Sequence, residues 1–99
     1  MTMPMTTTGI QQHWVSWEAD PGALVIQILT GTGAIVRHLF PRGTVESVTN
    51  ITMRDVHRVC VNPTFATDSV VFEFATAEEA MMFHWRIVVA LTWAAAAKS

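Results

Sequence analysis

Residues 69–98 read SVVFEFATAEEAMMFHWRIVVALTWAAAAK and contain a strand pattern followed directly by a helix pattern. In residues 69–75 large apolar side chains alternate with smaller or charged ones, which is typical of a strand with one buried face. Thr76 and Glu79 form a capping-box pattern, and no proline or glycine interrupts residues 76–98. This stretch therefore predicts a last strand that leads into one long C-terminal helix.

The chain from residue 10 to residue 75 contains β-prone runs separated by turn signals. Residues 23–30 (ALVIQILT) and 34–40 (AIVRHLF) flank a turn that holds Gly31 and Gly33, and they predict a β-hairpin. The dense apolar run in residues 23–30 favours a strand that is buried on both faces. The remaining predicted strands are 11–18, 44–53, 54–61 and 69–75.

These elements predict an α+β fold in which a curved antiparallel sheet of five or six strands packs against one long C-terminal helix. A chain of 99 residues has the usual size of one domain. We expect that domain to cover residues 10–99. Residues 1–9 (MTMPMTTTG) contain a proline and a glycine and predict a flexible N-terminal arm.

The passage from VVFEFAT into TAEEA, with Trp85 further along the helix, resembles the end of pleckstrin-homology-like domains. The resemblance covers about a quarter of the chain and implies a rolled sheet with a C-terminal helix packed on it. The predicted strands are one or two fewer than in that family. The family's basic lipid-binding loop has no evident counterpart, so the resemblance supplies no ligand.

The composition predicts an unusually apolar surface. Charged residues make up 14% of the chain and apolar residues 51%, whereas an average soluble domain has roughly 25% charged residues. Contiguous exposed apolar area usually marks an interface. The formal net charge of −2 gives no field that would attract nucleic acid, so that class of partner is not expected.

The C-terminal helix is apolar around most of its circumference. Ala80, Phe83 and Ile87 fall on one side at helical spacing, which predicts the side packed on the sheet. More apolar residues lie outside that side, and we expect them to contact a partner. The predicted interface residues are Met81, Trp85, Val88, Val89 and Trp93. His84 and Arg86 interrupt the apolar run, which leaves it too short to span a membrane.

Three groups of residues are candidates for a metal site, a catalytic pair or a basic patch. His57 and Cys60 would point to opposite faces of a strand, so no metal site is expected. Asp55 and His57 would share a face and could form half of a general-base pair, which keeps a small enzyme as an alternative. The sequence predicts no catalytic, cofactor-binding or metal-binding residues. A basic patch of uncertain role would form if four arginines came together: Arg37, Arg42, Arg54 and Arg58.

The sequence predicts a non-catalytic protein-interaction or assembly module that associates with itself or with another protein. This short, motif-free and interface-rich character is typical of small virus or phage accessory and structural proteins. A pocket for a small ligand or lipid between sheet and helix is the first alternative, and the enzyme is the second. Cys60 is the only cysteine, so a reducing, cytoplasmic location is expected.

Overall fold

The computed structural model describes residues 5–20, 22–64 and 69–98. In these described residues, seven strands precede one helix. The elements are β1 (Met5–Thr7), β2 (Ile10–Glu18), β3 (Ala23–Thr30), β4 (Ile35–Pro41), β5 (Val45–Met53), β6 (Val56–Pro63), β7 (Val70–Phe74) and α1 (Ala77–Lys98).

The strands form two sheets rather than one. The first sheet has the antiparallel order β2-β3-β4, and the second has the order β1-β7-β6-β5. In the second sheet β1 runs parallel to β7, and the other neighbours are antiparallel. The chain passes from one sheet to the other between β4 and β5, where the Thr44 amide and hydroxyl both donate to the Pro41 carbonyl.

The α+β class and the C-terminal helix predicted from the sequence are confirmed. The prediction of five or six strands in one curved sheet is wrong, because the described residues form seven strands in two sheets that do not close on each other. The additional strand, Met5–Thr7, lies inside the segment predicted as a flexible arm. Its three residues carry no alternating pattern, and β1 is defined only by its pairing with β7.

The core lies between the two sheets and under α1. Its fully buried side chains come from β3, β6, β7 and α1, and no polar or charged residue is fully buried in the described part of the chain. Phe83 is at the centre, with its ring centroid 4.8 Å from Phe72 and 5.0 Å from Phe74. Ala80, Phe83 and Ile87 are all buried, as the helical spacing predicted.

The helix begins as the sequence predicted. The Glu79 amide donates a hydrogen bond to the Thr76 hydroxyl at 3.2 Å, which is the N-cap half of the capping box. The helix runs between the edge strands of the two sheets. Arg86 contacts His13 of β2, and Nε2 of His84 lies 3.3 Å from the Val48 carbonyl oxygen of β5. α1 therefore covers the core where the sheets separate.

Candidate interaction surface

A wide groove of about 1140 Å³ lies where α1 meets the first sheet. Strand β2 brings four consecutive residues, 14–17, to the groove, and α1 forms the facing wall. We define the apolar surface as six of the large apolar side chains of this groove, five of them exposed and Val89 half-buried: Trp14, Ile35, Met82, Trp85, Val89 and Trp93.

The apolar surface is open to solvent. Trp85 is 62% exposed, Trp93 is 68% exposed and Ile35 is 69% exposed. Large apolar side chains of this kind are depleted from surfaces that remain in water, and a contiguous group marks a binding site. This surface is therefore the strongest functional candidate in the described part of the chain.

The outer face of the second sheet provides a comparison within the same molecule. There the Asn62 amide nitrogen donates to the hydroxyls of Ser47 and Thr49 at 3.0 and 3.1 Å, and its carbonyl oxygen accepts from Ser69 at 2.6 Å. Polar side chains bonded to one another are typical of a solvated sheet face. At the other end of β5 the same face exposes Ile51 and Met53, which lie outside the apolar surface.

Arg86 is the one charged residue among those that line the groove, and it is bound to a histidine. Its Nη1 donates a hydrogen bond to Nε2 of His13 at 3.2 Å, since a guanidinium can only donate. The His13 ring lies edge-on to Phe83 and Phe74, at 5.0 and 5.8 Å between centroids. Burial, followed by the nearby Arg86, lowers the pKa of His13 from its usual 6.5, against an opposing effect of Glu79.

The structure divides the predicted interface residues between two sides of α1. Trp85, Val89 and Trp93 line the groove. Met81 is exposed and Val88 is half-buried, but neither lines it. These two residues share a side of the helix with His84, which faces β5.

Three residues of the apolar surface are not among the interface residues predicted from the sequence, namely Trp14, Ile35 and Met82. Met82 is on the helix and is half exposed. Trp14 alternates with half-buried neighbours along β2, which marks an outward-facing side chain in the structure. Such a pattern shows that a residue points outward, but only the tertiary fold shows that it lies beside the helix.

The predicted Asp55–His57 pair does not form. Asp55 and Arg54 are the two residues between β5 and β6, in a turn closed by the pairing of Met53 with Val56, and Arg54 has a φ of 57°. Asp55 is therefore in the hairpin turn and shares no strand face with His57, so that expectation is wrong.

The remaining chemical candidates do not converge either. His57 lies on the inner face of β6 with Val59, whereas Cys60 points to the other face, as predicted. Burial raises the pKa of the Cys60 thiol against the opposing charge of Arg58, which disfavours the nucleophilic thiolate. The described residues contain no group of three or more side chains placed to hold a metal ion.

The four arginines of the predicted basic patch have separate surroundings. Arg37 lies on the first sheet and pairs with Glu18 at 3.4 Å, whereas Arg58 is on the second sheet. Arg42 lies over the Trp17 ring, at 5.3 Å from its centroid, and Arg54 is in the β5–β6 turn. These positions give no single basic patch.

We expect the protein to lose stability in mild acid through two histidines. Burial lowers the pKa of His38, whose ring packs edge-on to Phe72 at 5.3 Å, and burial with Arg86 lowers that of His13. In the unfolded chain both titrate near 6.5, so below that pH the unfolded state binds more protons. Their contribution to the free energy of unfolding is complete above about pH 6.5 and decreases as the pH falls through the folded pKa values.

Urea unfolding measured near pH 7.5 and near pH 5 checks this expectation, with a lower midpoint at the acid pH. His38→Gln should reduce the difference between the two midpoints, because it removes one of the titrating groups. An equal or higher midpoint at the acid pH would contradict the expectation.

Within the described residues, no helix has both the length and the apolar character needed to cross a membrane. Comparison of the chain with protein-family models, with curated proteins and with solved structures gives no match.

Proposed function

We propose that this protein is a non-catalytic interaction module that assembles with a second copy of itself through the apolar surface. The observation that supports the proposal is the concentration of exposed tryptophans beside α1. Trp14 is 48% exposed, Trp85 62% and Trp93 68%, and all three line one groove. Tryptophan is among the residues most enriched at the energetic centres of protein interfaces.

The area of the surface fits an interface of ordinary size. A tryptophan side chain buries up to roughly 250 Å², so the three exposed fractions together offer on the order of 450 Å². A standard interface covers about 800 Å² per partner. The three tryptophans thus supply about half of the area needed, and Ile35, Met82 and Val89 add to it.

The charges around the groove favour a second copy over a strongly charged partner. Arg37 is paired with Glu18 on the outer face of the first sheet, and Arg86 lies near His13 together with Glu79. Two acidic residues therefore balance two arginines. Two identical surfaces with balanced charge can approach each other without net repulsion.

A small apolar ligand is the alternative, since the groove of about 1140 Å³ is only slightly larger than typical ligand sites, which have about 300–1,000 Å³. Such sites usually enclose most of their ligand, however, and here the walls are themselves more than half exposed at Trp85 and Trp93. Native mass spectrometry of freshly purified protein separates the two functions, because a bound small molecule would add its own mass to that of the chain. A small enzyme that uses Asp55 and His57 is not proposed, because Asp55 lies in the β5–β6 turn and shares no strand face with His57.

Acrylamide quenching of tryptophan fluorescence, measured at low and at high protein concentration, tests the proposal. If a second copy covers the apolar surface, the quenching constant should fall to about half at the high concentration, because three exposed tryptophans become covered. A quenching constant that does not change with concentration would contradict self-association through this surface.

A further inference from the structure

Three of the four sheet edges are protected in ways that natural proteins use against unwanted strand pairing. Strands β2 and β5 lie beside α1, and each has a register irregularity, at Ile10–Gln12 and at Val45–Ser47. Strand β1 spans three residues, Met5–Thr7, within the described part of the chain. Helical cover, bulges and short length all prevent an edge from accepting another strand.

The fourth edge, β4, has none of these features. It spans seven residues, pairs with β3 without a register irregularity, and has β3 as its one hydrogen-bonded neighbour among the described strands. Ile35 is 69% exposed and Leu39 is 52% exposed. Arg37 is the single charged residue of the strand, and its charge is already paired with Glu18. A long, regular and apolar edge is a template for strand addition.

We propose that β4 pairs antiparallel with β4 of a second copy and joins the two three-stranded sheets into one sheet of six strands. A strand partner must itself offer an open edge. Within the described residues of another copy, β4 is the one edge without helical cover, bulge or short length, so a contact between copies pairs β4 with β4 about a two-fold axis.

The sequence of β4 selects a register for this pairing. An axis through Arg37 would place two guanidinium groups directly opposite each other, which is destabilising. An axis through His38 instead places Arg37 of one copy opposite Leu39 of the other, and Val36 opposite Phe40. In this register no like charges face each other, and apolar side chains of both copies extend the outer face of the joined sheet.

This contact goes beyond the proposed function, because it uses a strand edge rather than the tryptophans beside α1. A chain that carries two different two-fold contacts assembles beyond a dimer. Trp85→Asp removes the first contact and leaves β4 intact. We therefore expect the Trp85→Asp variant to form a dimer through β4 at high concentration, whereas the unaltered chain forms larger species.

Light scattering and amide hydrogen exchange on the Trp85→Asp variant test the proposal. In antiparallel strands alternate amides point to opposite edges, so one alternate set of β4 amides should exchange more slowly as concentration rises, while the set bonded to β3 should not change. Adding Leu39→Lys should raise the dimer dissociation constant about tenfold or more, because it places charge at the strand contact. Ile51 of β5 is also an exposed apolar residue, so Ile51→Lys is the matched control and should leave the dimer intact.

The results separate this proposal from the proposed function. A Trp85→Asp variant that stays monomeric at high concentration, or a dimer with unchanged β4 exchange, would overturn strand pairing. The tryptophan surface has its own test, which is the quenching measurement in the unaltered chain. A dimer that resists Leu39→Lys as well as Ile51→Lys would equally overturn the β4 contact.

Discussion

Phe83→Ala is expected to lower the free energy of unfolding by about 3–5 kcal/mol. Phe83 is fully buried on α1, and its ring contacts Phe72 of one sheet and His13 of the other. Removing it leaves a cavity where the helix and both sheets meet. Domains of this size have a total stability of roughly 5–15 kcal/mol, so the loss is a large fraction of the whole.

Urea unfolding at low protein concentration measures this effect without a contribution from assembly. Met81→Ala, on the same helix but 62% exposed, is the control and should change stability by less than about 0.5 kcal/mol. Similar losses for the two variants would show that Phe83 is not at the centre of the core.

Trp85→Asp is expected to weaken self-association by roughly 2–4 kcal/mol through the apolar surface, which is about a 30- to 1000-fold increase in the dissociation constant of that contact. The substitution removes a large aromatic contact and places a carboxylate where desolvation is costly. Because Trp85 is 62% exposed in the single chain, the fold itself should tolerate the change.

Met53→Asp is the matched control for this variant. Met53 is a large apolar residue that is 68% exposed, but it is at the end of β5, outside the apolar surface. Sedimentation equilibrium should show weakened association for Trp85→Asp and an unchanged value for Met53→Asp, with circular dichroism confirming the fold of both. Equal weakening by the two variants would show that exposed apolar area in general, rather than this surface, drives association.

Much of the fold could be predicted from local sequence. The β3–β4 hairpin follows from two β-prone runs around Gly31 and Gly33, and the helix follows from its cap and the spacing of Phe83 and Ile87. These signals act over a few residues, so they do not depend on the rest of the chain.

The features that the sequence did not predict depend on distant contacts. Strand β1 exists through its parallel pairing with β7, more than sixty residues away in the chain. The division into two sheets depends on which strands pair. A boundary error of two residues was enough to move Asp55 from a strand into a turn and to remove the candidate catalytic pair.

Three of the six residues of the apolar surface could be predicted from the sequence, because their positions follow from the local helix pattern. The helix pattern indicated that Trp85, Val89 and Trp93 would face something other than the core, because α1 has more apolar residues than its own sheets can cover. Trp14 and Ile35 join them only because β2 and β4 belong to the sheet beside α1. That placement depends on tertiary structure, which the periodicity of the sequence does not predict.

The central claim is that the apolar surface is shared between copies, and the molar mass in solution tests it most directly. Light scattering coupled to size exclusion, at low and at high protein concentration, should give a mass that rises from one chain to a value above that of the Trp85→Asp variant at the same concentration. A mass of a single chain at both concentrations would contradict the claim, and the exposed tryptophans would then have to be explained by a different partner or ligand.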